Sequence, residues 1–339
     1  MEINSENTSM TGKGLTGIAA LAASGRQLGQ KRRVEYRSLP SRSILNRCSN
    51  PRMPFRWTIN PYRGCEIGCH YCYATYTHKY LGIEDPHQFD TLIFSKERAK
   101  ELLERELRRG VRGAVAIGTG TDPYQPAERR FETTRGILEA FTKASGLTIG
   151  IMTKSDLVLR DIDLLGLIAS RNNLHVSLTV TTADSSLARL LEPRAVRPDK
   201  RIDAVRELRW RGVTAGVFSA PVLPLITDSD ELLSGVAEAA KRADASYWSA
   251  HALFLKSAAR ERMLPFLEAE FPHLAARYKA HYRRGAYASP GYRGWLRVKL
   301  DRIRKTYGLA SRIPGGSGPP GPARSPMLPF QQGLFAEAA

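Results

Sequence analysis

The sequence predicts an α/β fold made of six strand–helix units whose strands run parallel. Three observations carry that prediction. Short apolar runs alternate strictly with longer amphipathic stretches through the middle of the chain, the pattern of parallel strands joined by right-handed helical crossovers. Glycine and small polar residues gather just after the apolar runs, where α/β folds build their sites. The chain has 339 residues, 42% hydrophobic and 25% charged, enough to bury a large core beneath a soluble surface. An open doubly wound sheet and a partial barrel both satisfy these observations.

The first strand spans residues 55–62 (FRWTINPY) and ends immediately before a cysteine-rich loop. A Leu-, Glu- and Arg-rich stretch predicts a helix over 96–109, with Ser95 as N-cap and Gly110 as its stop. The segment 113–122 (GAVAIGTGTD) reads as a buried parallel strand running into a glycine turn. A helix follows over 127–144, stopped at Gly146, then a third strand over 147–153 and a helix over 161–170. The fourth strand covers 174–180, and helical segments around Leu187 and over 202–211 lead to a fifth strand over 213–222. A helix over 230–242 and a sixth strand over 246–255 complete the series. The polar segments GTGTD, TKS (153–155), VTT (180–182) and SAPVLP (219–224) then face one mouth with the cysteine loop.

The flanks differ from this core of residues 55–255. Residues 1–54 show little periodicity and read as a basic, irregular extension. Residues 256–310 read as a helical extension, and the tail 311–339 is too rich in Pro and Gly to bury a core. No apolar run approaches the roughly 18–20 residues a membrane helix needs. The polar first ten residues, with Glu2 and Glu6, do not read as a secretory signal. A cytoplasmic protein without membrane attachment is expected. The net charge of +18 is unevenly spread. Residues 1–56 hold ten basic and three acidic side chains, residues 256–305 thirteen and four, and residues 57–255 are nearly balanced at 26 and 25. Positive flanks around a neutral core suit a polyanionic partner, DNA or RNA, because neutralising phosphates releases counterions. The alternative is a generally basic, solvated surface.

Four cysteines are too few for a disulfide scaffold, and Cys65, Cys69 and Cys72 crowd into GCEIGCHYCY with C-x3-C-x2-C spacing. Three chemistries compete for them. Tetrahedral zinc would need a fourth ligand, for which His70 or His78 offers itself. A redox thiol pair would want a thioredoxin-like surround, which is absent. Iron–sulfur clusters ordinarily want four thiolates; three with no plausible fourth suggest a four-iron cluster whose last iron is open to a small ligand. Cys48, 17 residues upstream in a polar segment, makes a poor fourth ligand.

The string WTINPYRGCEIGCHYCYA, residues 57–74, resembles the cluster-binding loop of radical S-adenosylmethionine (SAM) enzymes. It is most similar to the spore-photoproduct-lyase-like ("DNA repair photolyase") branch, where NPYRGC and GC-x-YCYA are typical, and the resemblance covers residues 40–255. It implies a partial (β/α)6 barrel of the TIM type. It implies one four-iron four-sulfur cluster on Cys65, Cys69 and Cys72, with SAM chelating the open iron through its amino and carboxylate groups. A reductant such as flavodoxin or ferredoxin would supply one electron, and a 5′-deoxyadenosyl radical would abstract hydrogen from substrate. By position, Tyr71 lies against adenine, Gly118, Thr119 and Gly120 receive the methionyl amino group, Lys154 reaches the carboxylate, and Ser177 contacts ribose. Asp122 and Tyr124 follow the glycine turn and are candidate catalytic residues, the first for binding substrate or ribose, the second for relaying a hydrogen atom. A cap on the following helix is the other role open to Asp122. Arg194, in Glu192-Pro193-Arg194, suits a carboxylate or phosphate.

One departure stands out. Spore photoproduct lyases use a further cysteine downstream of the cluster, and this chain has none after Cys72. The resemblance therefore carries radical SAM chemistry with an unassigned substrate. A nucleic-acid substrate leads; a protein or small metabolite, and a non-catalytic iron–sulfur protein, are the alternatives. In the tail, Gln331, Leu334 and Phe335 of QQGLF resemble the Q-x-x-L-F peptide that docks bacterial repair and replication proteins on the sliding clamp, with Gln332 departing from the fuller motif.

Overall fold

Backbone pairing sorts the strands into two sheets. The computed structural model describes residues 15–51 and 53–312. In chain order its elements begin with α1 (Gly17–Ala23), β1 (Gln27–Lys31), β2 (Val34–Leu39), β3 (Asn46–Arg47), β4 (Trp57–Ile59) and β5 (Tyr62–Arg63). Two 3-10 stretches, Tyr73–Leu81 and Pro86–Asp90, lead to β6 (Leu92–Lys96), α2 (Ala99–Arg108), β7 (Val115–Ile117), α3 (Glu128–Phe131), α4 (Thr133–Phe141) and β8 (Thr148–Thr153). A 3-10 turn at Asp156–Asp161 precedes α5 (Ile162–Ala169), β9 (Asn173–Thr179), α6 (Ser185–Leu191), α7 (Pro198–Trp210) and β10 (Thr214–Val222). Then come α8 (Asp230–Arg242), β11 (Trp248–Ala252), α9 (Ser257–Glu270), α10 (Pro272–His281) and α11 (Pro290–Tyr307).

The larger sheet has the order β11-β10-β9-β8-β7-β4-β3. Its strands from β4 to β11 pair parallel and follow one another without reversal. A doubly wound sheet reverses direction at a switch point, so this order selects the partial barrel. β3 and β11 are its two edges. Ile149, Ile151, Leu174, Val176, Leu178, Ala215 and Val217 are sealed in one core with Leu138, Leu165, Val205 and Val236 of the surrounding helices. On the opposite face, glycines make room for rings. A Cβ on Gly150 would stand 2.4 Å from His175 Nε2, and one on Gly216 would stand 2.6 Å from the Tyr247 ring.

The smaller sheet, ordered β1-β2-β6-β5, corrects the reading of residues 1–54 as irregular. Tyr36, Ser38 and Leu39 of β2 are buried, which rewards strand formation inside a basic segment. The first barrel strand is also shorter than expected. Pro61 has no N–H to give a ladder, and after it Tyr62 and Arg63 pair antiparallel with β6 instead. The helix expected from residue 96 begins at Ala99: Lys96 N donates to Pro61 O at 3.1 Å, and Ser95 Oγ meets Thr133 Oγ1 at 2.8 Å, so both remain in β6. The helix expected over 127–144 divides at Glu132, whose φ of +49° is left-handed. The helical extension holds to the barrel through buried tyrosines, with Tyr278 Oη donating to Pro224 O at 2.6 Å and Tyr292 Oη to Asp228 Oδ2 at 2.9 Å. Among the described residues no helix is long and apolar enough to cross a membrane. Gln331, Leu334 and Phe335 lie outside the described residues.

Candidate active site

The cysteine loop leaves the carboxyl end of β5 and is held on several sides. Gly64 and Gly68 have φ of +82° and +70°, where only glycine is unstrained. A Cβ on Gly64 would meet Leu92 O at 2.7 Å, and one on Gly68 the Arg194 guanidinium at 2.2 Å. From the turn after β7, the Gln125 side chain receives Glu66 N at 2.9 Å and donates to Gly64 O at 3.1 Å, while Thr121 Oγ1 donates to the same carbonyl at 2.6 Å. Cys65 N donates to Phe89 O at 2.9 Å, and His70 N to Leu191 O at 3.2 Å. Arg194 donates to Glu66 O and to the Asp90 carboxylate. Arg262 of α9 reaches the other Asp90 oxygen at 3.3 Å. From the small sheet, Tyr36 Oη donates to Glu66 Oε2 at 3.0 Å. Backbone direction in this loop is thus set by buried polar groups rather than by regular structure.

Cys65 and Cys69 are buried, Cys72 is partly so, and none is in a disulfide. Burial pushes all three thiols up, Cys69 to about 12. Their mutual proximity adds to this, since the charge of one would oppose that of the next. Lys154 and Arg262 pull Cys72 the other way. Among the described residues no three His, Cys, Asp or Glu side chains converge closely enough to hold one metal ion. The two histidines are committed elsewhere. His78 Nε2 lies 3.0 Å from Leu92 O between Phe89 and Phe94, and His70 stacks on Phe266 at 4.2 Å. Cys48 pairs through its N–H with Arg56 O, ahead of β4 and so at the end of the barrel away from the loop.

Behind the thiols lies a sealed ionic cluster. Glu192 accepts from Tyr71 Oη and, at 2.7 Å, from Thr181 Oγ1, and its other oxygen lies 2.6 Å from Arg201. Lys154 Nζ stands 3.9 Å from Glu192 and 5.7 Å from the centre of the Tyr71 ring. Burial opposes the charge on Lys154, but Glu192 and Cys69 outweigh it and hold the ammonium above its ordinary value. Tyr71 and Lys154 therefore meet beside Cys69.

The glycine turn is pinned from the neighbouring strand. Gly120 N donates to Asn60 Oδ1 at 2.6 Å, Asn60 Nδ2 reaches Thr119 Oγ1 at 3.3 Å, and Tyr73 Oη donates to Thr119 O. Gly118 has φ of +90°, and a Cβ there would meet Met152 O at 2.5 Å. Asp122 is saturated: Oδ1 accepts from Tyr124 N and Thr153 Oγ1 at 2.9 and 2.7 Å, and Oδ2 from Lys154 N at 2.7 Å. It ties the turn to the end of β8. The Tyr124 hydroxyl faces Asp161, with Glu128 and Arg160 next to it. Ser177 Oγ is 2.7 Å from Tyr247 Oη.

The sequence pattern of the Radical SAM superfamily matches residues 59–234. The chain belongs to that superfamily. It is 35% identical over 307 residues to the uncharacterized protein Rv2578c of Mycobacterium tuberculosis, spanning 89% of this chain and 88% of that one. It is 26% identical over 174 residues to a Pseudomonas phage M6 protein named radical SAM Nalpha-GlyT isomerase, spanning 51% of this chain and 34% of the other. A spore photoproduct lyase variant solved with a dinucleoside spore photoproduct aligns with a TM-score of 0.60 at 13% identity, over 88% of this chain and 86% of that one. That likeness is one of fold. The radical SAM barrel thus brings Cys65, Cys69, Cys72, Tyr71 and Lys154 together, sets Gly118, Thr119 and Gly120 beside Tyr73, and turns Tyr124 toward a different ionic cluster. Sequence reasoning missed Asn60, Asp90, Thr121, Gln125 and Arg201. Asn60 stood inside the quoted loop string, and Gln125 three residues past Asp122; nothing marked Arg201 or Asp90.

Proposed function

We propose that this radical SAM enzyme holds one four-iron four-sulfur cluster on Cys65, Cys69 and Cys72 and acts on a nucleic-acid substrate. The observation that carries the cluster is the donor set: Cys65 and Cys69 are buried and Cys72 half-buried, burial raises all three thiols, they stand close enough to feel one another's charge, and Lys154 and Arg262 lie near enough to favour their thiolates. Iron replacing three protons relieves what burial opposes, and each thiol can serve a different iron. A cluster held there with SAM would supply one-electron reduction of the sulfonium, the chemistry by which SAM gives a hydrogen-abstracting 5′-deoxyadenosyl radical. Lys154 is placed to pair with the SAM carboxylate, and the 118–120 turn to receive the methionyl amino group. Tyr71 offers its ring to adenine, oriented by Glu192 and Thr181. Ser177 is proposed for ribose and Asp122 for acting through Lys154, whose backbone N–H donates to it, whereas a hydrogen-relay role for Tyr124 would have to run through the Asp161 cluster that its hydroxyl faces. Gln125, Thr121 and Arg194 fix the loop, a positioning task in which small displacements are costly. The positive flanks favour a polyanion as substrate. An acidic one-electron donor such as flavodoxin or ferredoxin completes the requirement.

Anaerobic reconstitution tests the proposal. A brown protein releasing 5′-deoxyadenosine after dithionite reduction is expected, with iron lost in Cys69→Ala and retained in Cys48→Ala. A colourless protein holding stoichiometric zinc, or unchanged iron in Cys69→Ala, overturns it.

A further inference from the structure

The barrel mouth carries a row of rings that the core does not use. Tyr73 follows Cys72 directly and touches the glycine turn through its hydroxyl. Phe254, just beyond β11, has its ring 6.2 Å from that of Tyr73 and 4.5 Å from that of Tyr287. Lys256 Nζ lies 3.6 Å above the Tyr76 ring and 6.0 Å from that of Phe254. Tyr76 in turn meets Tyr80 edge-on at 5.8 Å, and Arg293 stands 5.8 Å from the Tyr287 ring. Tyr73, Tyr80 and Tyr287 are 41%, 57% and 63% exposed. The half-buried Phe254 and Tyr76 and the Lys256 side chain between them link these three exposed rings into one patch, and exposed rings grouped in this way, rather than scattered singly, mark an interaction surface.

We infer that this row is a stacking platform for the unpaired bases of single-stranded nucleic acid, delivering them to the radical SAM site. The inference rests on the nucleic-acid reading above and narrows it. Each element of the surface matches one part of such a strand. The exposed rings of Tyr73, Tyr80 and Tyr287 can stack bases regardless of sequence, and Lys256 and Arg293 beside them can meet the phosphates between bases. Arg283 and Arg284, both exposed, precede Tyr287 in the same segment and add positive charge to it. A duplex hides its base faces and would use the charges alone. An acidic polypeptide would likewise leave the rings idle. The row begins next to Cys72 and Thr119, so a base stacked on Tyr73 lies at the mouth where the reaction is proposed.

Fluorescence anisotropy tests the platform with a labelled thymidine oligonucleotide about 16 nucleotides long, its duplex with the adenine complement, and poly-glutamate as competitor. Tighter binding of the single strand is expected. Tyr80→Ala/Tyr287→Ala should weaken it at least about tenfold, whereas Tyr287→Phe, which keeps the ring, should not. Both positions are exposed, and the single alanine variants replace the double one should it fail to fold. Equal binding of duplex and single strand, indifference to the alanine changes, or displacement by poly-glutamate overturns the platform. Formation of 5′-deoxyadenosine by the wild-type enzyme without oligonucleotide is read separately, so a failed platform and failed radical chemistry are distinguishable.

Discussion

Glu192 anchors the buried end of the site, because Arg201, Tyr71 and Thr181 all converge on one carboxylate shut away from water. Burial opposes its charge, and Arg201, then Lys154, reverse that and hold the carboxyl below its ordinary range. Removing one partner of such a buried pair leaves the other uncompensated, at a cost of about 3–5 kcal/mol. Glu192→Gln should therefore lower the urea midpoint steeply, and an unchanged midpoint would count against the pair as a structural anchor. Two histidines predict a pH dependence of opposite origin. Burial depresses His78 and His175 to about 4, whereas an unfolded histidine titrates near 6.5 (about). Between those values the unfolded chain takes up protons that the folded one refuses. Stability is then complete above about pH 6.5 and falls as pH drops toward about 4, by up to about 3 kcal/mol per histidine. Urea titrations at successive pH values check this: His78→Asn and His175→Asn should flatten the acid-side slope even though they lower the whole curve.

At the level of elements, helix α9 acts as a brace for the cysteine loop. Phe266 stacks on His70, between Cys69 and Tyr71, with planes only 12° apart, and Arg262 shares Asp90 with Arg194. Phe266→Ala should destabilise the protein by about 3 kcal/mol and reduce the iron retained after reconstitution; full iron with normal stability would show that the loop stands without the brace. This brace was not legible in the sequence, where residues 256–310 read only as helical, because which loop a helix face meets depends on tertiary packing. The barrel strands were legible, since β8, β9 and β10 are short segments rich in Ile, Leu and Val set between helical stretches. The small sheet was not. β5 is two residues long, the β1–β2 turn carries Arg32 at φ of +53° without a turn-forming Asn-Gly, and Ser95 resembles a helix cap although it lies within a strand. In the site, the three cysteines and Lys154 announced themselves by spacing and position. Gln125 and Thr121 did not, because a polar residue that holds a buried carbonyl looks in sequence like any loop residue.

Across the whole molecule, charge and fold are arranged to different ends. The segment that carries the cysteines is nearly neutral, and the surplus of basic residues sits on the segments that flank it in the chain. A polyanion held chiefly by such flanks must displace counterions, so its affinity should fall linearly with salt on logarithmic axes. For a single strand the slope is about −0.7 for each phosphate neutralised. Arg283 and Arg284 lie exposed between α10 and α11, in the segment that also carries Tyr287. Arg283→Glu/Arg284→Glu should therefore make the slope shallower by about 1.4 if each side chain serves one phosphate. The same change should leave the iron content untouched, because neither arginine contacts the cysteine loop. Stacking on Tyr80 and Tyr287 is insensitive to salt by comparison, so the tyrosine variants should lower affinity at every salt concentration and keep the slope. Anisotropy titrations across a salt series separate the two contributions. A charge-reversed protein with the wild-type slope would mean that these arginines do not face the phosphates, and the polyanion would then have to bind elsewhere on the molecule.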